Sequence, residues 1–557
     1  MTTTAETAAS ATPSCTDTPT APSASPVRGK ARIPHYEVVV VGAGFGGIGM
    51  GVALEKAGIH DFAILEKASQ LGGVWRDNTY PGCNCDVPAH LYSFSFAPYR
   101  SHTVRYPGQR DILAYLHTVA AEHGLLPHLR FNTELSDATY LDTTGSWWLT
   151  TTSGHHLITR TVVFALGQLH RPNIPDIPGR HEFTGPAFHT ARWNHHHNLH
   201  GREVAIIGTG SSAAQLLPVL AATAKRVRVF QRTPHWVLPK PALQFGPVTR
   251  TLLRLPGAHQ LYRGALAVGA DTMLAPVMRR GWSARLIESA ARRYLEHRVT
   301  DPELRADLTP DYPIGGKRII FDSHYYQALT RPNVELITAP ITTITSNSIQ
   351  TGDSRNHHAD TIIYATGFRA TEFLASVTVQ GRRGRLLHHD WQSGATAHFG
   401  VAVPGYPNLF VIAGPNGFSP AGSNPAMKEH EIGMILRSLR WRQAINAAAI
   451  DVTPTAMAES QQRLDQALAR TVWPSTPSWY RHVGGRITNP WPGTIRSYGR
   501  ALSGSPASWF EPVPVGREPL AASSLATPTS RRSAYLWWAR HYEQFGVDLA
   551  GGYGETS

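Results

Sequence analysis

Cysteine is scarce in this chain of 557 residues: there are three, Cys15, Cys83 and Cys85. So few thiols exclude a disulfide framework and fit a reducing, cytoplasmic compartment. Long apolar runs are also missing. No stretch of 18 or more uncharged apolar residues occurs, so no stable membrane insertion is expected. The most apolar helical stretch, Gly264 to Met278, is interrupted by Asp271 and flanked by Arg263, Arg279 and Arg280. It suits a hydrophobic channel wall or contact with a membrane surface. Histidines cluster (His155-His156, His195-His196-His197, His357-His358, His388-His389), yet no cysteine or carboxylate stands at ligand spacing, so no metal is expected. The net charge is +13, but the cations are scattered and no nucleic-acid motif occurs. No nucleic-acid partner is expected, whereas a basic surface does attract a polyanionic small ligand. Apolar content of 42% and charged content of 16% are those of a globular protein, with length for two or three domains.

Glycine is where the chemistry shows. Two Gly-rich turns, Gly42-Ala43-Gly44-Phe45-Gly46-Gly47 and Gly208-Thr209-Gly210-Ser211-Ser212-Ala213, each follow an apolar β-branched run and open a helical pattern. In that context glycines let the backbone approach a pyrophosphate seated on a helix N-terminus. One such turn carries little. Two imply two dinucleotides face to face, a flavin exchanging electrons with a nicotinamide, in an α/β fold with two Rossmann-like dinucleotide-binding domains. At the first turn (Gly42, Gly44, Phe45, Gly47), Glu66 ends the strand Phe62-Ala63-Ile64-Leu65, 19 residues after Gly47. There a carboxylate accepts from adenosine ribose hydroxyls and repels a 2′-phosphate, which suits FAD or NAD. Lys67, the close-approach loop Gly72-Gly73-Val74-Trp75 and Tyr92 are assigned to the same cofactor. At the second turn (Gly208, Thr209, Gly210, Ser211, Ser212, with Gln215), the next strand ends in Gln231-Arg232-Thr233-Pro234 without an acidic residue. Arg232, with Thr233, is placed to grip a 2′-phosphate, the NADPH form of the turn.

Between the turns lies Phe183-Thr184-Gly185-Pro186-Ala187-Phe188-His189-Thr190-Ala191-Arg192-Trp193. This F-x-G-x-x-x-H-x-x-x-W stretch resembles the fingerprint of the flavin-containing (type I) Baeyer–Villiger monooxygenases, and the likeness runs from about residue 36 to 500. Many members carry Pro or Asp at the next position, here Asn194; the related N-hydroxylating and mammalian-type flavin monooxygenases differ instead at the tryptophan, which this chain keeps. Further family-like stretches are Tyr80-Pro81-Gly82, Cys85-Asp86, Tyr106-Pro107 with Gln109, Tyr312-Pro313-Ile314-Gly315-Gly316-Lys317-Arg318, Ala365-Thr366-Gly367-Phe368 and Ser478-Trp479-Tyr480.

The resemblance implies a monooxygenase that uses FAD, NADPH and dioxygen to turn a small hydrophobic ketone into an ester or lactone through a peroxyflavin anion. It implies Arg318 as the fixed cation beside that anion and Asp86 as the carboxylate that orients it. Lys317 joins Arg232 on the 2′-phosphate, and Trp479 closes over the nicotinamide ribose and substrate pocket. Phe183, Gly185, His189 and Trp193 couple domain motion to cofactor position. Asn416 is a pocket contact, while residues 417–427 depart from the family pattern. One alternative keeps the cofactors but oxygenates an amine or sulfide through a protonated peroxide. A disulfide or NADPH:acceptor reductase is opposed by the spacing of Cys83 and Cys85, and a non-catalytic NADPH sensor by the retained Arg318 and Asp86.

The expected division is a disordered tail at 1–33, a first FAD-binding segment with linker at 34–195, an NADPH-binding domain at 196–350 carrying a helical insertion at 241–308, a second FAD-binding segment at 351–500, and an extension at 501–557. The extension holds an amphipathic stretch, Tyr535 to Phe545, suited to docking on the body. Crossings at the proline-stiffened linker Pro172 to Gly179 and near residue 350 make a hinge.

Overall fold

The computed structural model describes residues 33–101, 103–242 and 244–514. The expected N-terminal tail lies outside these residues but for its last position, as does Tyr535 to Phe545.

The run His35–Val41 reads apolar on both faces at its end, the pattern of a central parallel strand covered from both sides. It pairs in parallel with Phe62–Leu65 on one side, Val41 opposite Leu65, and with His156–Phe164 on the other, Val41 opposite Phe164. Leu409–Val411 adds to His156–Phe164, and the antiparallel pair Leu135–Leu141 and Ser146–Thr151 extends the sheet to Thr378–Gln380. The result is an eight-stranded sheet. The second sheet has five strands, all parallel, in the order Val334–Ile337, Arg226–Phe230, Glu203–Ile207, Thr361–Tyr364, Ala187–His189. Each sheet thus centres on a strand that leads into a Gly-rich turn and a helix, Phe45–Lys56 and Ser211–Thr223 respectively.

Three expected boundaries shift. Thr361–Tyr364, expected in the second FAD-binding segment, pairs with Glu203–Ile207 in the second sheet, so the crossing near 350 falls after Tyr364. Ala187–His189, expected in the first segment, pairs with Thr361–Tyr364 and belongs to the second unit as well. A fully buried apolar strand carries no mark of which sheet it completes, and that choice is made by long-range pairing. The third shift is at 501. Phe510–Val513 pairs antiparallel with Ala449–Val452 and buries Phe510 and Val513, so the folded body continues past the expected start of the extension.

Between Val237–Leu238 and Ile320–Phe321, which pair with each other, the chain is mostly helical: Pro247–Leu253, Ala258–Gly269, Ala284–Arg298 and Pro302–Asp307. Among the described residues no helix is long and apolar enough to cross a membrane.

Candidate functional site

The two Gly-rich turns have the same backbone solution. Gly42 has φ +105° and a Cβ there would lie 2.7 Å from the Ala165 carbonyl; Gly208 has φ +110° and a Cβ would lie 2.5 Å from the Ala365 carbonyl. Only glycine takes that dihedral and that approach together. The helices that follow start at Gly44 and Gly210 with no side-chain cap, so their first-turn N–H groups stay open to an anion. A Cβ on Gly73 would stand 3.2 Å from the Gly44 Cα, so the second loop closes over the first turn in a cradle that any side chain would fill. The donor set and the absence of Cβ atoms fit a pyrophosphate at both turns.

Glu66 is buried, and its carboxylate is held by the N–H groups of Ala43 (2.9 Å) and Ala68 (3.0 Å) and by Arg76 Nη1 (2.8 Å). Arg76 also pairs with Asp77 (2.8 Å) and carries no signal in the sequence beyond its place after Trp75. Phe45 packs edge-on to Tyr92 (5.2 Å between centroids), whose hydroxyl accepts from Trp75 Nε1 (3.2 Å), beside Val74 at the start of its short helix. Lys67 is placed differently from expectation: it reaches Glu134 across 3.9 Å at the surface, because its side chain points away from the buried Glu66.

At the second turn Thr209 donates to the Thr233 carbonyl (3.1 Å), tying the turn to the loop that carries Arg232, which is exposed. Ser211 and Ser212 open the helix. Lys317 lies over the Tyr312 ring (4.7 Å), and its ammonium is pushed down first by burial and then by the nearby Arg232 charge. Two cations that repel each other fit a phosphate dianion between them. Gln215 is a correction. Its amide oxygen accepts from Tyr80 (2.9 Å) and the Asn84 N–H (3.4 Å) while its nitrogen donates to the Asn84 carbonyl (2.9 Å), so it clamps the two units together rather than facing a ligand.

Arg318 and Asp86, 232 residues apart, meet in a forked pair: Nη2 to both carboxylate oxygens at 2.9 Å and Nε at 3.2 Å. Burial pulls the guanidinium pKa down, but the Asp86 carboxylate outweighs it and the net shift is upward, so the charge is permanent. The loop reaches this place through Gly316, where a Cβ would strike Thr476 at 2.5 Å, and through the Gly315 carbonyl, which accepts from Trp473 Nε1 (3.0 Å). The Phe418 ring lies 5.9 Å from the guanidinium, with Trp479 5.8 Å beyond and Tyr480 4.3 Å from Trp479. Two neighbours went unread in the sequence. The Tyr480 hydroxyl is fully buried without a partner, and Lys240 donates to the Cys85 carbonyl (2.8 Å) and to Asn84. Tyr480 sat within a family-like stretch, whereas Lys240 lies between two prolines that signal only a turn. Asn416, expected as a pocket contact, instead donates to the Ile487 and Pro490 carbonyls (3.1 and 3.0 Å) and is buried as a loop brace.

In the fingerprint, a Cβ on Gly185 would lie 2.5 Å from the Asp360 carbonyl, Phe183 packs against the apolar cluster that includes Ile344 and Ile362, and Trp193 packs edge-on to Phe188 (5.1 Å). His189 is buried, and burial lowers its pKa to about 4. Its Nδ1 accepts from the Ala191 N–H (3.1 Å). The clustered histidines serve hydrogen bonds, such as His195 to Thr79 and His197 to Thr361 (2.8 Å each), and among the described residues no metal-ligand cluster occurs. Cys83 and Cys85 are free.

A profile described as pyridine nucleotide-disulphide oxidoreductase matches residues 39–255. A Baeyer–Villiger monooxygenase of Streptomyces coelicolor is 39% identical over 84% of this chain and 90% of its own length. One from Pseudomonas aeruginosa is 36% identical over 85% and 90%. Among solved structures, an oxidized steroid monooxygenase bound to NADP superposes with a TM-score of 0.76 at 30% identity, covering 86% of this chain and 99% of that one. Cyclohexanone monooxygenase from Rhodococcus sp. Phi1 bound to NADP+ gives 0.77 at 28% identity over the same shares. With identity sustained over nearly the whole length of these relatives, the chain belongs to the Baeyer–Villiger monooxygenases.

Proposed function

We propose that the protein inserts one oxygen atom of dioxygen beside the carbonyl of a small hydrophobic ketone, giving an ester or lactone, in the cytoplasm. It is an FAD- and NADPH-dependent monooxygenase. The observation that carries the ketone reading is the Arg318–Asp86 pair under the Phe418, Trp479 and Tyr480 rings. The first turn with Glu66 would hold FAD; the second, with Arg232 and Lys317, would hold NADPH. When bound, the flavin supplies the electrons that activate dioxygen. Arg318 supplies a fixed positive charge where negative charge gathers on the attacking oxygen, and the aromatic wall lowers the local water content. Asp86 holds the guanidinium fork in one orientation. His189, neutral at working pH, positions rather than donates a proton. The scarcity of cysteine supports the cytoplasmic placement. Incubating the yellow protein with NADPH and separate ketone, amine and sulfide panels tests the reading: esters or lactones are expected, and oxygenated amines or sulfides alone would overturn it.

A further inference from the structure

The helical stretch between Val237–Leu238 and Ile320–Phe321 is turned inside out relative to an ordinary surface element. Most of the large apolar side chains exposed among the described residues fall between Val248 and Leu286. Leu261 is 78% exposed, Val268 50%, Trp282 62% and Leu286 59%. The helix Ala258–Gly269 buries no residue completely. Its outward positions, Leu261, Gly264, Ala265 and Val268, recur at helical spacing and continue to Thr272, a single apolar stripe facing away from the protein. The polar side faces inward: Arg263 donates to the His90 carbonyl (2.5 Å) and Ser93 hydroxyl (3.0 Å), and His259 meets His90 (2.9 Å).

Charge completes the picture. Between residues 247 and 286 there are six arginines and one acidic residue, Asp271. Asp271 accepts from the Ile495 N–H (3.2 Å), and Arg263 is the arginine turned inward. Arg254, Arg279, Arg280 and Arg285 are exposed in the same stretch of chain, and Arg250 is half-exposed. A second copy of this face would bring arginines against arginines, and the segment Tyr535 to Phe545 with its upstream Arg531 and Arg532 is basic too. An apolar stripe with a tryptophan and a cationic rim matches the headgroup boundary of an anionic lipid layer.

We propose that this face docks peripherally on membranes containing anionic lipid, with Leu261, Val268 and Trp282 entering the headgroup boundary and the exposed arginines meeting lipid phosphates. The proposal goes beyond the ketone reading and does not depend on it. The inner side of the same stretch abuts the functional site: Met278 accepts from the Val472 N–H (2.9 Å) and its sulfur crowds Gly315. A docked molecule would therefore hold its site close to the layer in which apolar ketones concentrate.

The test is co-sedimentation of the full flavin-loaded chain with phosphatidylcholine vesicles, with and without phosphatidylglycerol, in dilute and concentrated salt. Binding is expected with phosphatidylglycerol, weakened by salt. Leu261→Asp with Val268→Asp should lower partitioning at least tenfold while NADPH still bleaches the bound flavin at the parent rate, which shows that the variant folds. Arg254→Gln and Arg285→Gln should each weaken binding about fivefold. A chain that stays in the supernatant with phosphatidylglycerol in dilute salt overturns the proposal. So does binding that survives the aspartate pair but is lost in Trp537→Ala with Trp538→Ala, which assigns it to the C-terminal segment. A dimer that the aspartate pair dissociates, without vesicle binding by the parent, gives the face to a second copy instead.

Discussion

Arg232 and Lys317 come from opposite ends of the second unit, and burial followed by repulsion from the Arg232 charge pushes the Lys317 ammonium down. A 2′-phosphate relieves that repulsion. Arg232→Ala is expected to raise the Michaelis constant for NADPH by one to two decades, the loss of a charge-assisted pair of roughly 1.5–3 kcal/mol, and to leave NADH nearly unaffected. Steady-state kinetics with both cofactors checks it; equal losses would refute the phosphate assignment. Glu431 shows the opposite economy of charge. It is fully buried, and burial pushes its carboxyl up to about 7 against the pull of Lys428. Protonated, it completes a chain: the Ala413 N–H donates to one oxygen (2.8 Å), and the acid proton goes to Tyr498 (3.0 Å), which donates on to the Phe399 carbonyl (2.8 Å). Because the folded pKa lies above the unfolded one, the folded state binds the proton more tightly, and stability falls as pH rises from the ordinary carboxylate range through about 7. Glutamine copies the protonated form. Glu431→Gln should match the parent's thermal stability at pH 5 and exceed it at pH 8, by on the order of 1–3 kcal/mol.

At the scale of elements, the short strand Ala187–His189 holds the fingerprint on the edge of the second sheet, with His189 in register with Tyr364. The chain has by then left the linker at Pro172 to Gly179, so the histidine reports the position of the second unit rather than the first. With its pKa lowered to about 4 by burial, the ring is neutral at working pH, in keeping with the positional role proposed for it. His189→Ala is expected to fold and retain FAD, yet to turn over poorly and release hydrogen peroxide, because closure both places the nicotinamide and excludes water. Product formed per NADPH consumed measures this; tight coupling in the variant would leave the histidine a packing residue only.

For the whole molecule, the two units meet through shared apolar packing, with Tyr80 in the core of the second unit and Met278 clustered with Phe418, Trp473 and Tyr480, and through polar clamps. Arg318 to Asp86, Gln215 to Asn84 and Tyr80, and Lys240 to the Cys85 carbonyl all cross between them. The arginine fork is one of the contacts that cross this junction, so its geometry is set by how the units meet. Arg318→Ala should still be bleached by NADPH at a near-normal rate but lose ester formation by more than the two to three decades typical of one oxyanion donor, since a full charge leaves a poorly hydrated place. Stopped-flow spectra with product analysis read both halves. Ketone conversion at the parent rate would remove Arg318 from the chemistry and reopen the amine or sulfide reading.

Local chemistry was legible from the chain itself. Gly42 and Gly208 announce their turns because no other residue takes that dihedral against a carbonyl, while the opposite ribose chemistries expected at Glu66 and Arg232 rest on charge alone. Asp86 and Arg318 were legible one at a time through family likeness. Ownership of elements was not legible: Thr361–Tyr364 is an apolar strand that either sheet could use, and only its register with Glu203–Ile207 assigns it. Nor were the fates of Gln215 and Asn416, polar residues whose amides are spent on backbone and side chains distant in sequence. The sequence leaves the apolar stretch Gly264 to Met278 between a channel wall and a membrane contact, since helical periodicity gives two faces without saying which meets the body. Periodicity, charge and backbone dihedrals are properties of neighbours along the chain; pairing partners and exposure arise from contacts between distant segments, and those the tertiary structure alone decides.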